Sequence, residues 1–275
     1  IDILLKKDNW KFKVYLINHS SIRSYGDKYG WDKITELFQK IKVGVKIYDE
    51  AHLEFANIIK LDLYTNTKRT IYLTATFARS EFREDKLFNL CFKNIAKYGK
   101  ETINEKRKHI VYVSLLFNSK PNLDQQASMI GPHGFNKNVY IDYLINKPIF
   151  FEALDYILNY FKEKDGKILI LSSKIESSEI IAKFVEERFP EKTISVYNST
   201  VSQEEKELAK SRDIISSTPK SAGTGFDVPG LRFEINTEPT SSEVLANQVA
   251  GRLRVYDNDK YSFYIELVDV GFTKV

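Results

Sequence analysis

Sulfur is nearly absent from this sequence. Its single cysteine, Cys91, excludes an internal disulfide and any zinc site built on several cysteine ligands, and it suits a reducing compartment. Long apolar runs are also missing, since no stretch approaches the ~18–20 residues that a membrane span needs. No signal peptide opens the chain, so the cytoplasm is the expected location. Methionine occurs once, at Met129, and the chain opens at Ile1 without an initiator, which reads as an internal fragment of a longer protein. No sequence repeat is visible. A GxxxxGK[ST] phosphate loop is missing as well, and the glycines present do not precede a Lys-Ser/Thr pair.

What is there is globular. The 275 residues (31.9 kDa) are 43% hydrophobic and 28% charged, enough for one large domain or two ordinary α/β domains. Charge is unevenly spread. Residues 1–148 carry 25 Lys+Arg against 16 Asp+Glu, whereas 149–275 carry 16 against 21. The basic half contains a cluster running from Lys93 through Lys97 and Lys100 to Lys106, Arg107 and Lys108. Such a cluster is either a solvated face or a surface for phosphates.

Strand and helix patterns alternate. Lys13–Asn18, Val43–Tyr48, Thr70–Leu73 and Ile110–Leu116 read as short buried strands in the first half. A helix lies between the first two, with Trp31, Ile34, Leu37, Phe38 and Ile41 on one face. From Asn118 to Asn146 the periodicity fails around Pro121, Gly131-Pro132 and Gly134, which predicts a linker over 118–146. The second half resumes with a helical stripe of Phe150, Leu154, Ile157, Leu158 and Phe161, then strands at Lys167–Leu171, Asp213–Ser217, Arg232–Asn236 and Tyr261–Val268. Ser173 with Glu176, Ser202 with Glu205 and Thr240 with Glu243 predict capped helix starts. The expected fold class is α/β: two doubly wound lobes with mainly parallel sheets, the first over 1–117 and the second over 147–275.

Four segments carry candidate chemistry. The strand Val43–Tyr48 runs into Asp49, Glu50, Ala51 and His52, which puts adjacent carboxylates at a carboxyl-terminal sheet edge. Carboxylates there either hold Mg²⁺ and orient a water, or cap the next helix. Thr74-Ala75-Thr76 follows another strand. The stretch Thr218 to Gly230 places Gly223 and Gly225 where backbone amides can approach a phosphate, with Asp227 as an acceptor; it can equally be a Gly/Pro-rich turn. On the helix opened by Thr240, Gln248 and Arg252 are four apart and share a face, with Gly251 and Arg254 beside them. These arginines suit phosphate contact, or merely complement the helix dipole.

In this order, the four segments resemble superfamily-2 helicases and translocases. Asp49–His52 matches motif II (DEAH), Thr74–Thr76 motif III, Thr218, Gly225, Asp227 and Pro229 motif V, and Gln248, Gly251 and Arg252 motif VI. Leu171–Ser173 sits where motif IV lies, and Asn18–Ser21 where motif Ib lies. IYLTAT and GTGFDVPGL look like the phage UvsW-type DNA helicases and their XPB-like relatives.

The resemblance implies RecA-like lobes with ATP and Mg²⁺ as cofactors. It implies Asp49 on the metal, Glu50 on the attacking water, and Arg252 or Arg254 as arginine finger, with Gln248 beside them. Gly225, Asp227 and His52 would serve the nucleotide. Ser20, Thr74, Thr76, Ser173, Thr218 and the Lys106-Arg107-Lys108 cluster would face nucleic acid, DNA being favoured over RNA. Arg254 stands two residues after Arg252, where many relatives use a spacing of three, so Arg252 is the preferred finger. Motif I is expected upstream of Ile1, and the fragment alone is expected to hydrolyse ATP poorly. The leading reading is therefore an ATP-dependent helicase or translocase, of the host cytoplasm were it phage-encoded. The alternatives are the motor subunit of a restriction-type or terminase-like complex, an ATPase-inactive DNA-binding or structural component, and a DEAH-type RNA helicase.

Overall fold

The computed structural model describes residues 13–49, 51, 55–74, 82–95, 109–131, 134–222, 226–238, 250–253 and 261–272. The chain forms two compact units, Ile1–Ala96 and Lys97–Val275. Among the described residues no helix is long and apolar enough to cross a membrane.

In the first unit, helices α1 (His19–Tyr29) and α2 (Trp31–Ile41) precede strand β1 (Val45–Tyr48), helix α3 (Phe55–Tyr64), strand β2 (Arg69–Tyr72) and helix α4 (Phe82–Phe92). The two strands pair in parallel, from Val45 opposite Arg69 to Tyr48 opposite Tyr72, so α3 is the crossover of a βαβ unit. The expected α2 stripe forms: Ile34, Leu37 and Ile41 are buried. Ile34 meets Ile22, Tyr48, Ile58 and Leu61 in one cluster. The strand expected over Lys13–Asn18 does not form. Residues 14–18 are irregular, Val14 and Leu16 are exposed, and Asn18 is instead the N-cap of α1, whose side chain accepts from the Ser20 amide at 2.9 Å.

The second unit is built on one sheet of six strands, all parallel, in the order β3-β10-β9-β6-β8-β7. These are β3 (Ile110–Phe117), β6 (Lys167–Leu171), β7 (Ile194–Tyr197), β8 (Ile214–Ser217), β9 (Leu231–Asn236) and β10 (Ser262–Asp269). Alternation in the KILIL strand β6 sends Ile168 and Ile170 to one core and Leu169 and Leu171 to the other, so both faces are covered. Helices α6 (Lys137–Leu144), α7 (Pro148–Phe161) and α8 (Ile175–Arg188) supply the first core; the second holds Ala209, Phe226, Val228, Ala250 and Leu253. The doubly wound α/β class is thus observed, with the parallel sheet of a RecA-like domain.

Two boundaries differ from the sequence reading. Ile110–Phe117 was expected to close the first lobe, but it is the edge strand of the second sheet, in register with β10 from Ser262 to Asp269. The Asp269 carboxylate then accepts from the Ser119 amide at 3.0 Å and from the Ser119 hydroxyl, which ties the two strand ends. Residues 118–146, expected as a linker, hold helix α5 (Leu123–Ser128), the short antiparallel strands β4 (Ile130–Gly131) and β5 (Gly134–Phe135), and α6. Met129, Tyr140, Ile141 and Leu144 are fully buried in the second unit's core. Glycine there marks a hairpin, with Gly134 at φ +96°, where only glycine is unstrained.

Of the expected helix starts, Ser202 and Glu205 form a reciprocal capping box on α9 (Gln203–Ala209). Ser173 does not cap α8: the N-cap is Lys174, without a side-chain hydrogen bond. Thr240 and Glu243 lie outside the described residues.

Candidate functional site

Strand β1 delivers Asp49 and strand β2 delivers Thr74. Because the strands are parallel and in register, both residues leave at the same carboxyl-terminal edge. The ladder continues past the strands, with the Leu73 amide donating to the Tyr48 carbonyl at 2.8 Å and the Ala51 amide to the Leu73 carbonyl at 2.9 Å. Asp49 is exposed and Thr74 half-buried. Glu50, His52 and Thr76 lie outside the described residues.

Beneath that edge lies an unforeseen polar network. Lys46, mid-strand and buried, donates to the Asp62 carboxylate on α3, to the Thr65 hydroxyl at 2.5 Å and to the Thr65 carbonyl at 3.2 Å. Tyr48 and Tyr72 stack, centroids 5.5 Å apart, and both hydroxyls donate to Asp62, Tyr48 at 2.9 Å. Burial first, then Asp62 (through its charge at Tyr48 and its hydrogen bond at Tyr72), pushes both phenols well above their ordinary value. A lysine and two tyrosines thus occupy and flank a strand that the sequence pattern presented as merely apolar.

Ser20 lies in the first turn of α1, where amides without intrahelical partners favour an anion. Its hydroxyl is 3.3 Å from His19 Nδ1.

In the second unit, Ser173, Thr218 and Glu238 all follow strands of one parallel sheet and therefore share its carboxyl-terminal edge. Glu238 Oε1 accepts from the Ser173 amide at 2.7 Å and the Ser172 hydroxyl at 3.1 Å, joining the ends of β9 and β6. Burial raises the Glu238 carboxyl above its usual range, against the lowering effect of these serine donors. The Thr218 side chain is buried and turned inward on its own loop: its hydroxyl donates to Ser221 Oγ at 3.0 Å and accepts from the Ser221 amide at 3.2 Å. Asp227 is exposed.

Arg252 is held from both sides of the backbone. Ala250 and Leu253 are buried in the second core, and the Leu253 carbonyl is 3.0 Å from His109 Nε2. Its side chain lies against Phe226, with Nη1 donating to the Phe226 carbonyl at 2.8 Å and the guanidinium carbon 6.0 Å from the ring centroid. It sits in a turn directly after the helical residue Ala250. Gly225, Gln248, Arg254, Lys106, Arg107 and Lys108 lie outside the described residues.

The sequence reading missed Glu234. It lies mid-β9, opposite Leu169 on β6 and Tyr264 on β10, and is fully buried. Neither carboxyl oxygen accepts a hydrogen bond from the described residues. Burial pushes its pKa up to about 8, and the Arg252 charge works in the opposite direction. An unsatisfied buried group of this kind costs roughly 1–3 kcal/mol or more. A glutamate between Phe233 and Ile235 at the middle of the LRFEIN strand was the available signal.

Taken separately, the first unit presents an exposed carboxylate, Asp49, at its strand edge, and the second an arginine, Arg252, laid on a phenylalanine. Among the described residues no cluster of three or more His, Cys, Asp or Glu could hold a metal. Magnesium commonly takes one or two carboxylates and keeps several waters, so an exposed Asp49 at a fixed strand end fits it.

Residues 150–255, all within the second unit, match the family model of the helicase conserved C-terminal domain. No curated protein sequence matches the chain. Among solved structures, it is similar to S. cerevisiae Dbp5 bound to RNA and ADP BeF3, at 12% identity and TM-score 0.55, covering 86% of this chain and 57% of that one. It is also similar to a fragment described as an HsdR subunit of a type I restriction enzyme from Vibrio vulnificus YJ016. That match has 13% identity and TM-score 0.63, covering 98% of this chain and 50% of that one. At these identities the likeness concerns the fold, and this chain spans about half the length of either structure.

Proposed function

We propose that this chain supplies the motor core of an ATP-dependent nucleic-acid helicase or translocase, acting on DNA in preference to RNA. The observation that carries the reading is the helicase C-terminal match over 150–255, which contains Thr218, Asp227 and Arg252. ATP with Mg²⁺ supplies the phosphoryl transfer that drives the motor. Asp49 is assigned to hold the metal, Glu50 to orient and polarise the attacking water, and Arg252 to neutralise charge on the transferring phosphate. Gln248 and Arg254 flank that arginine; Gly225, Asp227 and His52 are assigned to the nucleotide. Ser20, Thr74, Thr76, Ser173, Thr218 and the Lys106-Arg107-Lys108 cluster are assigned to the nucleic-acid path. The finer UvsW/XPB-like type has the IYLTAT and GTGFDVPGL strings in its favour.

The test is nucleic-acid-stimulated ATPase and strand displacement by the intact protein, with DNA and RNA substrates side by side. Arg252→Ala should lower turnover by about 10³–10⁵. Turnover unchanged in that variant would remove Arg252 from the site, and no stimulation by either nucleic acid would end the motor reading.

The HsdR likeness, which covers 98% of this chain, favours a second reading as the motor of a restriction-type complex. Such a motor would displace a third strand from duplex DNA without separating the duplex, which the same assays distinguish.

A further inference from the structure

Two described residues other than glycine hold a positive φ, Lys42 and Lys120, each at +52°. Lys42 closes α2, where helices commonly end on a left-handed residue, and it needs no further account. Lys120 ends no helix. It stands three residues beyond β3 and directly before Pro121, and a residue before proline is pushed towards extended backbone. A strained residue persists only where its surroundings over-determine it, and here they do. The Asn118 side chain accepts from the Lys120 amide at 2.8 Å. Asp269, at the end of β10, accepts from the Ser119 amide at 3.0 Å, from the Ser119 hydroxyl and from the Gly271 amide at 2.9 Å. Tyr143 on α6 donates to the Ser119 carbonyl at 3.0 Å. Gly271 closes the turn from the other side, since a Cβ there would stand 2.7 Å from both Asn118 Oδ1 and Pro121 Cδ. Ser119 and Asp269 are buried, while Lys120 is exposed.

Glycine would meet the same backbone without strain, as it does at Gly30, Gly134, Gly166 and Gly230. What lysine alone brings to the position is a positive charge on a long stem. We infer that Lys120 is a phosphate contact for nucleic acid, presented at the carboxyl-terminal edge of the second sheet by a turn built to hold its backbone in place. The position selects the ligand. Because the strands are parallel and in register, residues 118–121 leave the sheet at the same edge as Ser173 after β6 and Thr218 after β8. In the order β3-β10-β9-β6, Lys120 stands three interstrand spacings from Ser173, about 14 Å. A nucleic-acid backbone lying along that edge would pass both. The inference rests on the reading of Ser173 and Thr218 as part of the nucleic-acid path and extends it. Those two residues offer neutral hydroxyls, whereas Lys120 supplies the charge that makes backbone binding depend on salt.

The experiment is a salt titration of binding by the intact protein, using a fluorescently labelled single-stranded DNA and its RNA counterpart. It compares the wild type with Lys120→Gln, Lys120→Gly and Lys120→Arg, and reads the melting temperature of each. Loss of one phosphate contact should reduce the slope of log Kd against log salt by about 0.7 and weaken binding about fivefold at 0.1 M salt. Lys120→Gln and Lys120→Gly should show that loss equally. Lys120→Arg keeps the charge and should keep the wild-type slope. Lys120→Gly should also melt at or above the wild-type temperature, because it relieves the positive φ. An unchanged slope in Lys120→Gln would overturn the inference. So would an affinity loss in Lys120→Gly that comes with a lower melting temperature, which would assign the residue to the turn alone. Either result leaves the motor reading standing so long as the wild type binds and its ATPase is stimulated. A wild type that binds neither nucleic acid ends that reading, and this inference with it.

Discussion

In the first unit, the strand that delivers Asp49 is pinned by a buried lysine, an aspartate, a threonine and two stacked tyrosines. In the second, the strand that delivers Ser172 and Ser173 is pinned by Ile168, Leu169, Ile170 and Leu171, each 4% exposed or less. The difference follows from sheet size. Strand β6 has neighbours on both sides and cores on both faces, so every side chain contributes apolar burial, about 1.5–3 kcal/mol for a full Leu or Ile. Among the described residues, core packing lies on one face of the β1–β2 pair, and Val45, Ile47, Ile71 and Leu73 on the other are 44–61% exposed. With little apolar area to bury, direction comes from hydrogen bonds, which fix geometry more sharply than they add stability.

The largest effect should come from breaking the first unit's network. Asp62→Leu leaves the Lys46 ammonium buried without its carboxylate, and removing one partner of a buried pair costs about 3–5 kcal/mol. Amide exchange in β1 and β2 should then accelerate sharply while the amides of β6 and β9 stay protected. ATPase of the intact protein should fall with it, because Asp49 leaves the end of β1. The double variant Lys46→Met/Asp62→Leu should recover the part of the loss that comes from the unpaired ammonium, while the Tyr48 and Tyr72 hydroxyls still lack their Asp62 acceptor. Equal exchange in both units of Asp62→Leu would show that the network carries no local load.

A smaller effect, in the second unit, is a pH slope. The folded Glu234 carboxyl titrates near pH 8, against 4.5 for an ordinary glutamate. Below pH 4.5 the folded and unfolded chains both hold the proton. Between 4.5 and about 8 the unfolded chain releases it and the folded chain keeps it, so stability falls as pH rises, by up to about 1.4 kcal/mol per pH unit. Glu238 adds a slope of the same sign, since burial raises it too. Denaturant midpoints from pH 5 to 8 should therefore decline more steeply in the wild type than in Glu234→Gln, and parallel curves would show that Glu234 is already ionised in the fold.

The second unit was the more legible in sequence, for the same physical reason. Fully buried parallel strands write continuous apolar runs, and KILIL, the stripe from Phe150 to Phe161 and the Ser202–Glu205 box are all where the pattern puts them. Assignment across units was not legible. Ile110–Phe117 has the same apolar character whichever sheet it joins, and its place follows from pairing with a strand about 150 residues away. The Pro/Gly punctuation of 118–146 described a hairpin between helices as well as it described a linker. Of the candidate site, Asp49 and Thr74 were legible as strand-end residues. Lys46, Asp62 and Glu238 were not, because each is recognised at its buried position only through partners distant in sequence, and Glu234 offered only its place between Phe233 and Ile235.

The smallest effect separates the two helix starts that the same four-residue signal predicted. Ser202 accepts from the Glu205 amide at 3.2 Å and Glu205 accepts from the Ser202 amide at 2.7 Å, so two donors of α9 are satisfied reciprocally. These bonds from Ser202 also hold the Glu205 carboxyl below its usual value. At α8 the signal is spent differently: the helix begins one residue later, behind Lys174, and the Ser173 amide donates to Glu238 across the sheet edge. Ser202→Ala should therefore cost about 1 kcal/mol, the usual worth of a lost cap, and should fray the start of α9. Ser173→Ala leaves that amide in place and removes no cap, so its melting temperature should stay at the wild-type value. Equal losses in the two variants, measured by denaturant midpoint, would mean that Ser173 caps α8 after all, and that its bond to Glu238 is not what fixes the end of β6.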